Sequence, residues 1–235
     1  MKRHFARLLS LLAAAAVAGP AAAAEKPQDD PPAAVAVGEA ICGKLGGGTI
    51  GPFDYRDRAN AADLQTVNTF HFNSDVQQLI RGQSTNEVLG DLNFILFHFP
   101  NHHRALRVMA RYFLEGGKQM RFLSADCYFD RAIRGYPDDI VVRQIYSMYL
   151  ARKGRHTEAI EQLREAVRLQ EGPSMELHYN LALLYADVKD YDQANEHAAI
   201  AYGMGHPLTG LRDRLIREGQ WRSQEAFEKG RSATP

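Results

Sequence analysis

Cysteine is scarce in this 235-residue chain: Cys42 and Cys127 are the only two. They form no C-x-x-C or C-x-x-C-H motif and leave no second pair, which excludes thioredoxin-like, c-type haem and cysteine-rich zinc chemistry. Net charge is missing as well, since 28 Lys and Arg balance 28 Asp and Glu, so neither nucleic acid nor a membrane surface is implied as a partner. Long apolar runs are also lacking. The most apolar stretch, residues 8–18, covers about 11 residues, short of the roughly 20 needed to span a bilayer. No H-E-x-x-H occurs, and Ser84, Ser124 and Ser147 lack the strand-to-helix setting of a nucleophile elbow. Gly46, Gly47 and Gly48 are not followed by the Lys and Ser or Thr of a phosphate loop. These absences leave no enzyme class and no cofactor with a sequence basis.

The short apolar run has a context. Lys2, Arg3 and Arg7 precede it, and Ala22, Ala23 and Ala24 stand before Glu25, so residues 1–24 read as a cleaved secretory signal. Its removal takes away three basic residues, leaving 25 against 28 acidic ones, a net charge of −3. The mature protein is expected to be exported, periplasmic in a bacterium, and without membrane insertion. An oxidising compartment suits a Cys42–Cys127 bridge, the alternative being two buried free thiols. Residues 25–37 hold three prolines and read as a flexible leader, and the glycine-rich residues 38–52 read as loop.

Helical signals begin further on. Ser74 with Gln77 has capping-box spacing, and Arg81-Gly82 supplies a stop. Thr85 is placed to cap a helix carrying Val88, Leu92, Ile95, Leu96 and Phe99 up to Pro100. Asn101 is placed to cap another, with Leu106, Met109, Ala110 and Phe113 on one face.

The second half of the chain repeats itself. Ala125, Ala159 and Ala194 recur at intervals of 34 and 35; four residues beyond them come Phe129, Leu163 and Ala198, and seven beyond come Ala132, Ala166 and Ala201. Such a period marks stacked helical hairpins, and small residues at fixed positions let paired helices approach closely. Leu181, Ala182 and Tyr185 follow the large, small and aromatic order of the first helix of such a hairpin, and Tyr146, Ser147 and Leu150 follow it less closely. Residues 139–208 resemble two tetratricopeptide repeats, and residues 103–138 resemble a third, disturbed at Gly116-Gly117. A half-repeat over residues 88–100 is a further expectation. The blocks G-P-F-D-Y-R at 51–56 and F-P-N-H-H-R-A-L at 99–106 resemble segments of exported bacterial proteins of this repeat class.

The resemblance implies an all-α, tetratricopeptide-like helical-hairpin solenoid. Residues 38–101 would form a loop-plus-helix extension, 102–208 the repeats, and 209–235 a C-terminal capping helix and tail. In the cap, Leu208, Leu211, Leu215 and Ile216 would close the core, with Trp221 and Phe227 completing it. In this repeat class the first helix of each hairpin lines a groove. By register the groove takes Arg107, Arg111 and Leu114, then Gln144, Met148 and Arg152, then Tyr179, Asn180 and Leu183. Basic edges around apolar contacts suit a protein or peptide partner with acidic residues. The expected function is thus a noncatalytic adaptor in a cell-envelope assembly.

Two other readings stay open. His71, His98, His102 and His103 could hold a small ligand or a metal, with Asp91 or Asp75 as an oxygen ligand; the plainer account has them bonding to loop carbonyls and packing on Phe97 and Phe99. Asp54, Asp57 and Asp63 could form a hydrolytic carboxylate site, against a turn in which Arg56 and Arg58 pair with them.

Overall fold

A computed structural model describes residues 33–45 and 51–222. The expected signal segment at residues 1–24, residues 25–32 of the expected leader, the Gly46–Gly48 triplet, Phe227 and the tail from Lys229 lie outside the described residues. Within them the chain is all-helical, with no strand, and no helix is long and apolar enough to cross a membrane.

Eleven α-helices follow one another among the described residues: α1 (Ala33–Cys42), α2 (Ala61–His71), α3 (Ser74–Gln77), α4 (Val88–His98), α5 (His103–Leu114), α6 (Ala125–Gly135), α7 (Ile140–Arg152), α8 (His156–Leu169), α9 (Met175–Asp187), α10 (Tyr191–Gly203) and α11 (Gly210–Arg217). Polar caps define most starts. Ser124, Asp139, Ser174 and Asp190 accept hydrogen bonds from backbone amides two or three residues into α6, α7, α9 and α10, satisfying donors that have no partner inside the helix.

From α5 onward, neighbours in sequence are neighbours in space. α5 packs on α6 and α7, α7 on α8, α8 on α9, and α9 on α10 and α11. The periodic small residues sit where these helices meet. Ala159, Ala194, Ala132, Ala166 and Ala201 are fully buried, as are Phe129 and Ala198, and Ala125 and Leu163 are 2% exposed. The Phe129 ring lies between α6 and α7, with centroids 4.5 Å from Tyr146 and 5.9 Å from Tyr149. Gly154 (φ 76°) and Lys189 (φ 62°) occupy equivalent places, 35 residues apart, in the α7–α8 and α9–α10 turns. There the Arg155 amide reaches the Leu150 carbonyl as the Asp190 amide reaches that of Tyr185. At the C-terminal end, Leu211 and Leu215 are fully buried and Trp221 packs edge-on to Tyr202.

The N-terminal half departs from the sequence reading in several places. Residues 33–42 are helical rather than leader and loop, and α1 packs on α6, where Cys42 and Cys127 meet in a disulfide with Cα atoms 5.0 Å apart. α2 starts without a side-chain cap and buries only Val67, so neither a cap nor an apolar stripe announces it. Asn73, not Ser74, caps α3, which stops after one turn. Glu87 rather than Thr85 precedes α4, because Thr85 is turned towards Asp91. His102, not Asn101, caps α5 through its Nδ1. Leu208, which lies ahead of α11, and Ile216, on the side of α11 away from its buried residues, stay 60% and 54% exposed.

Candidate functional site

Two polar constellations and one open helix surface concentrate the chemistry of the described residues. The first joins the segments at 51–56 and 99–106. The Tyr55 amide donates to Asn101 Oδ1 at 2.8 Å, and Asn101 Nδ2 donates to Asp54 at 2.7 Å and to Asp139 at 2.9 Å. Asp139, the α7 cap, also bonds to His103 Nε2 at 2.8 Å. Burial works against ionisation of Asp139, but His103, Asn101 and the α7 amides outweigh it and hold the carboxyl below its ordinary range. Arg56 grips both Asp54 and Asp138, and its hydrogen bonds bring Asp54 down to about 2. His102 is fully buried against Tyr55 and donates to Asn68; burial lowers its pKa to about 3, so it is a neutral structural imidazole.

The second constellation surrounds Asp91, which is fully buried. Its carboxylate accepts from the amides of Gln83, Ser84 and Thr85. Thr85 folds tightly over Gly90, where a Cβ would come within 2.6 Å of its hydroxyl. With amide donors on both oxygens, Asp91 acts as an acceptor towards His71 Nδ1 at 2.7 Å. His71 therefore donates from Nδ1 and turns Nε2 elsewhere. Its ring stacks on Phe94 at 3.8 Å, and Phe94 lies 4.3 Å from His98. Both imidazole rings thus pack against the one phenyl ring of Phe94. His98 Nδ1 donates to the Phe94 carbonyl at 2.9 Å.

These rings border a cleft of about 230 Å³ between α2 and α4. Asp63, Thr66, Val67, Phe70 and His71 supply one wall at helical spacing from α2. Phe53 completes the cleft from the preceding segment. That segment is anchored where the Phe53 amide meets the His98 carbonyl at 2.7 Å, and Gly51 (φ 80°) lies so close that a Cβ would come within 3.0 Å of the same oxygen. The α2 stripe stands in the sequence at positions 63, 66, 67, 70 and 71, but its mixed composition does not distinguish it from the aspartate-bearing turn that precedes it.

The four histidines expected as a possible ligand set are thus separated: His71 on Asp91, His98 on the Phe94 carbonyl, His102 on Asn68 and His103 on Asp139. Among the described residues, no three His, Cys, Asp or Glu side chains are grouped to hold a metal ion. The three aspartates are likewise dispersed. Asp54 is held by Arg56, Asp57 caps a 3-10 turn at Ala59, and Asp63 faces the cleft.

The register positions assigned to a groove divide. Arg107, Arg111, Met148 and Arg152 are exposed, and Leu114, Gln144, Asn180 and Leu183 are half-buried. Tyr179 is corrected: it is buried, its ring stacked 3.8 Å from His206 and placed edge-on to Tyr202. Arg111 is already engaged, donating to the Gln77 carbonyl at 2.6 Å, while Arg104 reaches the Gln77 side chain. The α3 turn therefore covers part of α5, a contact between distant segments that no periodicity announces.

No protein-family model matches the chain, and no curated protein or solved structure is significantly similar to it.

Proposed function

We propose that this chain is an exported, noncatalytic adaptor of the tetratricopeptide-repeat type, which holds a protein or peptide partner in a cell-envelope assembly. The observation that carries this reading is the coincidence of the sequence period with burial. The nine periodic positions from Ala125 to Ala201 are all buried, and the helices that bear them pack in chain order. Stacked hairpins of that kind leave the first helix of each pair with a face the next hairpin does not cover.

On α5 and α7 that face carries Arg107, Met148 and Arg152, all exposed, with Met148 at 61%. An exposed flexible thioether on helices that also expose guanidinium groups suits a peptide with acidic residues around an apolar anchor. The paired cysteines accord with export, because such bridges persist in oxidising compartments.

The test is crosslinking in intact cells followed by mass spectrometry, with the parent chain beside an Arg107→Glu, Met148→Glu, Arg152→Glu variant. Arg111 is left unchanged because it secures α3. Loss of a captured partner from a variant with unaltered thermal unfolding supports the adaptor reading; retention of the same partner rejects this face.

A further inference from the structure

The α2–α4 cleft has a chemical polarity of its own. Its apolar part is aromatic: Phe53, Phe70 and Phe94 line it, and Phe70 and Phe94 remain 58% and 38% exposed. Large aromatic surface left open beside a cavity marks a ligand site more often than an isolated exposed side chain does.

The polar part consists of acceptors. His71 Nδ1 donates to Asp91 and His98 Nδ1 donates to the Phe94 carbonyl, and an imidazole that donates from Nδ1 offers an acceptor at Nε2 whenever the ring is neutral. Neither Nε2 has a hydrogen-bond partner among the described residues, and neither is a sealed, unsatisfied atom. Thr66 spends its hydroxyl proton on the Ala62 carbonyl at 3.0 Å, leaving only lone pairs. Asp63, exposed and without an ion pair among the described residues, adds a carboxylate at the same cleft.

A site with aromatic walls and acceptors only repels carboxylates and phosphates and favours a group that brings donors and positive charge. Ammonium groups are attracted to aromatic faces as well as to carboxylates. A dry cavity of about 150 Å³ accepts benzene, so a cleft of about 230 Å³ admits one ring with a short side arm. A metal ion is a poorer match, because no three His, Cys, Asp or Glu side chains are grouped to hold one among the described residues.

We infer that the cleft between α2 and α4 binds a small organic cation, an aromatic or compact apolar amine, with its ammonium group at Asp63 and its apolar body against Phe70 and Phe94. The site is distinct from the α5–α7 face of the proposed adaptor, and its occupancy does not depend on that reading.

The experiment uses the oxidised full chain, labelled with ¹⁵N, at pH 8, where an ordinary imidazole is neutral. Three probes of equal framework are titrated: 2-phenylethylammonium, 2-phenylethanol and phenylacetate. The inference expects saturable shifts confined to amides of α2, α4 and residues 51–55, with the cation bound at least tenfold more tightly than the alcohol or the acid. Asp63→Asn should erase that preference. The variant removes only the charge of an exposed side chain with no ion pair among the described residues, so its fold is checked simply by an unchanged amide spectrum outside the cleft. Equal affinity for the three probes, shifts elsewhere, no saturable binding, or a preference that survives in Asp63→Asn overturns the inference.

Discussion

Asn101 donates to Asp139 at 2.9 Å from a fully buried position, and its second amide hydrogen goes to Asp54. Its oxygen takes the Tyr55 amide, so one side chain joins the 51–56 segment, the start of α5 and the cap of α7. Replacing it with Ala takes one partner each from two carboxylates, Asp139 and Asp54, and from the Tyr55 amide. Each unsatisfied buried group costs about 1–3 kcal/mol. Asn101→Ala is expected to lower the unfolding free energy by about 3 kcal/mol, measured by urea denaturation. A loss below about 1 kcal/mol would mean that water replaces the amide without penalty.

That connection explains how far the sequence could be read. The repeat half was legible because Ala125, Ala159 and Ala194 report a local constraint, close helix approach, at a fixed interval. The polar junction was visible only as two unexplained blocks, since Asp139 lies 38 residues from Asn101 and nothing local ties them. Assigning the cap to Asn101 failed for the same reason: distant carboxylates claim its side chain, and His102 takes over the capping. Tyr179 failed differently. Register placed it on an open face, but the chain beyond α10 returns and lays His206 across its ring. The cleft escaped because its wall is an α2 stripe of mixed aspartate, threonine and aromatic residues rather than an apolar one.

Acid should weaken the fold through histidine before it touches the carboxylates. Burial holds His102 at about 3 and His197 at about 4, the latter also beside His178. An unfolded histidine binds its proton near 6.5. Between those values the unfolded chain carries more protons, so stability is complete above about pH 6.5 and falls as the pH drops towards 3 or 4. The limiting slope is about 1.4 kcal/mol per pH unit for each histidine. Asp54, held at about 2 against an ordinary 3.8, loses its contribution only below that range. Urea midpoints at pH 7.5 and 5 should therefore differ, with His102 alone contributing about 2 kcal/mol. His102→Asn, which can still cap α5, should shrink the difference. An unchanged pH dependence in that variant would assign the effect elsewhere.

The equivalent turns after α7 and α9 offer a paired comparison. Both need a left-handed residue, and glycine supplies it at 154 whereas lysine adopts it at 189. A non-glycine residue there costs roughly 1–2 kcal/mol, part of which glycine's unfolded-state entropy returns. Lys189→Gly is expected to raise stability by about 0.5–1 kcal/mol, and Gly154→Ala to lower it by about 1 kcal/mol. Opposite signs in thermal unfolding are the expected result. A destabilised Lys189→Gly would show that the lysine side chain contributes more than its backbone costs.

The bridge between Cys42 and Cys127 closes a separation of 85 residues and fastens α1 to α6, away from the α7–α10 hairpins. In the chain-entropy description, a loop of that size stabilises the fold by about 4–5 kcal/mol. Arg134, held on α6 by its i,i+4 pair with Asp130, adds its own tie by donating to the Gly43 carbonyl at 2.9 Å. That tie is local and survives reduction only while α1 stays docked. Reduction is therefore expected to lower the unfolding midpoint and to expose α1 to protease first, with α7–α10 cleaved later. Alkylation before and after reductant, read by mass spectrometry alongside limited proteolysis, checks both parts. Two thiols modified before reduction would remove the bridge from the account. Simultaneous cleavage throughout the chain would show that α1 and the hairpins unfold as one cooperative unit.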